Sequence, residues 1–170
     1  MRLRGLNTSA RYYMRPLILA GLFALALTLY IFLKKKISMN KAMLIYSTLL
    51  LTGLNEKLCR FATAQAGHET AGFTSELFTK YNNAFGMNYA GQKLASGHVN
   101  EFATYSKPED SATDFGVWWL KARNNVFSLP LFVDDIESYV AFLKNADYFT
   151  AKESDYLGGC VKYYKIYFGD

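Results

Sequence analysis

The sequence predicts a mainly helical α+β domain with a small β-hairpin lobe, preceded by one membrane-spanning helix. Three observations predict it. Pro16 to Leu33 runs without a single charge. Helix-start signals recur at Asn55, at Ser106-Lys107-Pro108-Glu109 and at Asp134-Asp135-Ile136-Glu137. Between the first two lies a glycine-punctuated stretch, Tyr89 to Tyr105, that ends in β-compatible residues.

The N-terminal element comes first. Residues 1–37 carry seven basic residues (Arg2, Arg4, Arg11, Arg15, Lys34, Lys35, Lys36) and no acidic one. The whole chain of 170 residues has 19 Lys and Arg and 14 Asp and Glu, so residues 38–170 keep 12 basic and 14 acidic residues and a formal net of −2. The basic character belongs to the leading segment, which makes it poor support for a nucleic-acid partner. At 1.5 Å per residue the uncharged run reaches about 27 Å, close to the hydrocarbon thickness of a bilayer. A cleaved signal peptide would have a shorter apolar core and a small-residue cleavage site. This core ends in Tyr-Ile-Phe-Leu-Lys-Lys-Lys, so a retained anchor is expected. Basic residues flank it on both sides, and orientation is not set by charge.

Ser38 to Leu51 reads as the first helix of a domain that fills residues 38–170, and Thr52-Gly53-Leu54-Asn55 breaks it. Asn55 caps a second helix with Leu58, Phe61, Ala62, Gln65 and Glu69 on one side. Glu69 falls at its C-terminal end. Gly91, Ala95, Ser96 and Gly97 punctuate the hairpin region, and Val99 to Tyr105 supplies its strand character. Ser106 to Glu109 is a capping-box pattern with Pro in the first turn, so a helix starts near Lys107 and runs to about Arg123. Asp134 to Glu137 opens another that reaches about Asn145, and Thr150-Ala151-Lys152-Glu153 opens the last. Cys59 and Cys160 are the only cysteines and belong to no Cys-x-x-Cys or Cys/His cluster, which argues against zinc. A single disulfide stays open if the domain is exported; two free, buried thiols are expected.

Three blocks carry a family resemblance. Gln65-Ala66-Gly67-His68-Glu69-Thr70-Ala71-Gly72-Phe73 is followed by Asn82-Asn83-Ala84-Phe85-Gly86-Met87. This resembles the endo-N-acetylglucosaminidase family of peptidoglycan hydrolases, relatives of lysozyme. There, a helix ending in Ala-x-Glu-[Ser/Thr]-Gly-like residues precedes an Asn-Asn-Leu-Phe-Gly-like segment. Phe102-Ala103-Thr104-Tyr105-Ser106-Lys107-Pro108-Glu109-Asp110-Ser111 is similar to the family's Phe-Arg-x-Tyr block. Ala146-Asp147-Tyr148-Phe149-Thr150, continuing to Tyr156, is similar to its Ala-Gly-Tyr-Ala-Thr-Asp-x-x-Tyr block. The blocks occur in the family's order over roughly residues 60 to 160, and a lysozyme-like architecture is implied.

The resemblance implies cleavage of the β-1,4 bond after N-acetylglucosamine in bacterial cell wall, with Glu69 as general acid. The residues agree with that role. Glycoside cleavage needs a proton donor for the leaving oxygen, and a carboxyl at a helix C-terminus beside aromatic rings is held in its acid form. The resemblance implies Tyr156 as an active-site residue, and Asn83, Phe85 and Tyr148 as substrate-side candidates. The second carboxylate is open. No Asp or Glu stands between Met87 and Val99, and Glu101 is the only acid between Glu76 and Glu109. Glu101 is the candidate. The other routes are a water held by other groups, assistance from the substrate's N-acetyl group, or intramolecular attack giving an anhydro product. Trp118 and Trp119 are adjacent on one helix and cannot share a face.

His68-Glu69 lacks the second histidine four residues after the first that a zinc-protease motif needs, since Gly72 stands there. No metal or organic cofactor is expected. The expected partners are peptidoglycan glycan strands and, through the N-terminal helix, a lipid membrane, with the domain on the cell-wall side. The membrane is that of a bacterial envelope or of a phage virion, and compactness favours the phage. The rivals are a lytic transglycosylase of the same superfamily and a non-catalytic wall-binding or structural membrane protein.

Overall fold

A computed structural model describes the backbone of residues 8–125 and 133–169 and the side chains of residues 20–122 and 133–169. The chain divides into two compact units, Met1–Ile37 and Ser38–Asp170. Helix α1 (Thr8–Leu51) supplies residues to both. In the first unit Leu22, Phe23, Leu25, Tyr30, Ile31 and Phe32 are all exposed. Among the described residues no helix is long and apolar enough to cross a membrane. The uncharged run that predicts an anchor begins at Pro16, so the side chains of its first four residues, like the whole of Arg2 and Arg4, lie outside the described residues.

The second unit is mainly helical with one two-stranded antiparallel sheet. Its central element is α2 (Glu56–Glu69), which starts where Asn55 accepts from the Leu58 amide. The sequence pattern predicts one apolar face. Instead nine of the fourteen residues are buried, on all sides of the helix. Small residues make this feasible: Ala62, Thr63, Ala64, Ala66 and Gly67 leave room for neighbouring helices, and a Cβ at Gly67 would lie 2.7 Å from the Tyr167 ring.

Helix α3 (Glu76–Tyr81) is capped by Ser75 and ends at a left-handed Asn82. Six residues are too few to show a period, and the sequence analysis does not anticipate this helix. The predicted hairpin is β1 (Ala95–Val99) and β2 (Phe102–Tyr105), joined at Asn100-Glu101 with Asn100 left-handed. The Tyr89 amide donates to the Glu101 carbonyl (2.6 Å), and Asn88 bridges to Phe102, so residues 88–89 extend the lobe.

Helices α4 (Pro108–Asn125), α5 (Ile136–Asn145) and α6 (Glu153–Phe168) complete the unit. Asp135 caps α5 in a reciprocal box with Ser138. The last helix starts two residues later than its Thr150 signal implies, at Lys152, which makes no side-chain cap. The core joins Ile45 and Leu49 of α1 to Leu58, Phe61 and Ala66 of α2, Phe115 and Trp119 of α4, Tyr139 and Leu143 of α5, and Cys160 of α6. Cys59 and Cys160 are free and buried, and burial pushes their thiols up to about 11 and about 12.

Candidate active site

Glu69 is the last residue of α2, and the chain beyond it is held in an unusual turn. Ala71, Gly72 and Phe73 all have positive φ (50°, 72° and 65°). A run of left-handed residues that includes a buried Phe is costly and persists only when its surroundings impose it. The buried Thr70 imposes much of it. Its hydroxyl donates to the Ala66 carbonyl (2.6 Å) and accepts from the Phe73 amide (2.9 Å). The Gly72 amide closes on the Gly67 carbonyl at 2.7 Å. The helix therefore stops one residue after the carboxylate.

The two oxygens of Glu69 have different surroundings. The Tyr156 hydroxyl of α6 donates to Oε1 at 2.5 Å. Oε2 lies against Gly86, where a Cβ would approach it to 3.2 Å. Gly86 also has φ +63°, so glycine serves there twice, for the turn and for the space. Burial raises the Glu69 carboxyl above the ordinary glutamate range, and the Tyr156 hydrogen bond only partly opposes this. Burial likewise holds the Tyr156 hydroxyl in its protonated form, with the nearby Glu69 adding to the effect. The Tyr156 ring stacks on Phe149 at 3.7 Å and takes the edge of His68 at 4.8 Å.

This pair opens into a cleft of about 740 Å³. Glu69, Tyr156, Glu101 and Tyr148, all singled out from the sequence, line it. So do Trp118, His68 and Asp147. Among the described residues neither Lys nor Arg lines it, while three carboxyl side chains do. Glu101 reaches the cleft from the hairpin turn and is exposed. Among the described residues no group of three or more His, Cys, Asp or Glu could hold a metal ion.

Asn83 and Phe85 are not brought to the cleft. Asn83 is fully buried. Its carboxamide donates to the Met87 and Ala103 carbonyls (both 2.9 Å) and accepts from the Phe85 and Met87 amides (3.3 and 3.1 Å). That leaves nothing to offer a sugar. It shapes the loop that presents Gly86. Phe85 is also fully buried, stacked on Phe115 at 4.0 Å. Tyr148 reaches the cleft with its hydroxyl already donated to the Phe85 carbonyl (2.6 Å).

The site also contains residues for which the sequence gives little signal. Trp119 is buried on Tyr139, and that turns its neighbour Trp118 to the cleft. The sequence shows that the two must part but not which one faces out. Asp147 stands where the similar block has Gly, and that departure was the only available sign.

A protein-family model described as Glucosaminidase, mannosyl-glycoprotein endo-beta-N-acetylglucosaminidase, matches residues 53–167. Comparisons with curated proteins and with solved structures gave no match.

Proposed function

The chain belongs to the glucosaminidase family of glycoside hydrolases, whose function is of the peptidoglycan-hydrolase type, and from that premise we propose that it cuts the β-1,4 bond after N-acetylglucosamine in bacterial cell wall with Glu69 as the general acid. The observation that carries this reading is the Glu69–Tyr156 pair, a buried carboxyl hydrogen-bonded on one oxygen at the wall of an open cleft.

The proton follows from the geometry. Tyr156 donates to Oε1, so Oε1 acts as the carbonyl oxygen and the acidic proton resides on Oε2. That proton passes to the glycosidic oxygen as the bond to the anomeric carbon breaks. The carboxylate left behind keeps the Tyr156 hydrogen bond, which is stronger to an anion than to a neutral acid. Tyr156 therefore orients Glu69 before the step and stabilises it afterwards. Glu101, from the hairpin turn, is the candidate second carboxylate that stabilises the developing positive charge or activates water. The domain is residues 38–170. Residues 1–37 are the anchor, which holds the domain on the wall side of a bacterial or phage-virion membrane. The uncharged run from Pro16 and the exposed Leu, Phe and Ile side chains of the first unit support that part.

Mass spectrometry of wall digested by the full chain tests the reading. Reducing N-acetylglucosamine ends are expected. Ends in 1,6-anhydro-muramic acid would instead assign a lytic transglycosylase. Intact wall that still pellets the protein would leave a binding protein.

A further inference from the structure

One wall of the cleft is built by α4 and the segment after α5. Trp118 of α4 is half-buried there, its indole held by Phe115 at 5.6 Å, by Trp119 at 6.4 Å and by Tyr148 at 4.8 Å. It is positioned by rings and still faces the open cleft.

Asp147 follows the last residues of α5 in a left-handed conformation, φ +52°. Its amide donates to the Lys144 carbonyl and the Tyr148 amide to the Leu143 carbonyl (3.1 and 3.0 Å), a helix-ending turn in which glycine is the usual residue. Lys144 locks the next residues by donating to the carbonyls of Phe149, Thr150 and Ala151 (3.3, 3.3 and 3.1 Å). Asp147 thus accepts a costly backbone, and its carboxylate takes no hydrogen bond or ion pair from any described residue. It lines the cleft and is exposed. The carboxylate is therefore free to meet a ligand in the cleft.

We propose that Trp118 and Asp147 form a glycan-binding subsite, apart from the Glu69–Tyr156 pair, that holds one pyranose of the wall strand with its C–H face on the indole and its hydroxyls on the carboxylate. The proposal rests on the glycan-cleaving reading above. The chemistry is complementary: an aromatic face takes the apolar face of a sugar ring, and a carboxylate accepts from two neighbouring hydroxyls at once. With no Lys or Arg lining the cleft among the described residues, the subsite suits neutral amino sugars rather than acidic polysaccharides.

The chain has only two tryptophans and Trp119 is buried, so quenchable tryptophan emission reports Trp118. The full chain carrying Glu69→Gln, to prevent turnover, is titrated with a soluble β-1,4-linked N-acetylglucosamine tetramer by calorimetry and by acrylamide quenching. The tetramer should shield the emission. Trp118→Ala in that background should weaken binding about tenfold or more, and Trp118→Phe, which keeps a ring, by about threefold or less. Asp147→Gly is the decisive variant. It relieves the left-handed backbone, so its Tm should stay or rise, while its affinity falls about three- to tenfold. A purely structural Asp147 would give the same Tm change with unchanged affinity, and that outcome overturns its part in the subsite. Tetramer binding with unshielded emission and wild-type affinity in Trp118→Ala overturns the subsite while wall cleavage by the wild type still stands. Wild type that neither binds the tetramer nor cuts wall brings down both readings.

Discussion

At the scale of single residues, the reading depends on keeping one carboxyl protonated. Glu69→Gln keeps the shape and the acceptor for Tyr156 but has no acidic proton. Wall-cleaving turnover should fall about 10²- to 10⁴-fold, measured on protein whose far-UV spectrum matches the wild type; near-normal turnover would remove Glu69 from the mechanism. Tyr156→Phe should cost less, about tenfold, the scale of one hydrogen bond of about 1.4 kcal/mol. The raised pKa of the buried Glu69 carboxyl has two pH consequences. Activity needs the acid form, so it should drop on the alkaline side as pH rises through the folded-state value. Stability has its own window. Below the ordinary glutamate value of about 4.3 the group is protonated in folded and unfolded chains alike. Above it the unfolded chain releases the proton and the folded chain retains it, so stability declines with rising pH until the folded-state value is passed. Glu69→Gln lacks that proton. Its urea midpoint should match the wild type near pH 4 and exceed it at neutral pH. An equal gap at both would mean that burial does not set the charge of Glu69. That Glu69 and Tyr156 would come together at one cleft was legible because their spacing within the blocks is a pattern of identities. Asn83 and Phe85 belong to the same pattern but not to the cleft, because identity does not reveal whether an amide points at a sugar or at its own loop.

At the scale of elements, the packing of α2 against α6 sets where Glu69, His68 and Tyr156 meet. Gly159 of α6 faces His68, and a Cβ there would lie 2.1 Å from Nδ1. Gly158 beside it has nothing within 4 Å. Helix propensity alone favours Ala at both by roughly 0.5–1 kcal/mol. Gly158→Ala should therefore stabilise by about that much. Gly159→Ala should destabilise by about 1–3 kcal/mol through overpacking, and should lower activity because His68 bears on the Tyr156 ring. Thermal melts of the two single variants check this, and a stabilised Gly159→Ala would contradict the close approach. The loop offers a parallel case. Asn83→Ala strands the buried amides of Phe85 and Met87 and should cost about 3 kcal/mol or more, seen as a lowered denaturant midpoint. Helix starts were legible at Asn55 and Asp135, where a side-chain cap opens a longer helix, but not at Ser75, whose cap opens only six residues. The start was misplaced at Lys152, where no side chain makes the cap. The left-handed run 71–73 and the six-residue α3 were illegible: the local hydrogen bonds of Thr70 and the Ser75 cap hold them, but neither is long enough to show a period.

At the scale of the whole molecule, hydrogen bonds stitch the three sequence blocks into one structure. The Ala84 amide donates to Ser111 Oγ (3.0 Å), Tyr148 to the Phe85 carbonyl and Tyr156 to Glu69. Their order was readable and their contacts were not, since residues 27 to 87 apart in sequence become neighbours only when the helices pack. The first unit follows another logic. Its described apolar side chains are exposed, Phe23 at 73% and Ile31 at 58%, and among the described residues no polar face alternates with them. In water such a surface is unfavourable by about 25 cal/mol per Å²; in hydrocarbon it is not. The three lysines at 34–36 can reach a headgroup layer along their own stems. The full chain should therefore sediment with membranes after an alkaline carbonate wash and need detergent for release. Removal of residues 1–37 should leave residues 38–170 in the supernatant with wall-cleaving activity retained on soluble glycan. Full chain found in the carbonate supernatant would rule out the anchor without touching the site. Residues 38–170 that still sediment would move the membrane contact onto the second unit, where Leu51 at 89% exposure is the first apolar side chain to replace.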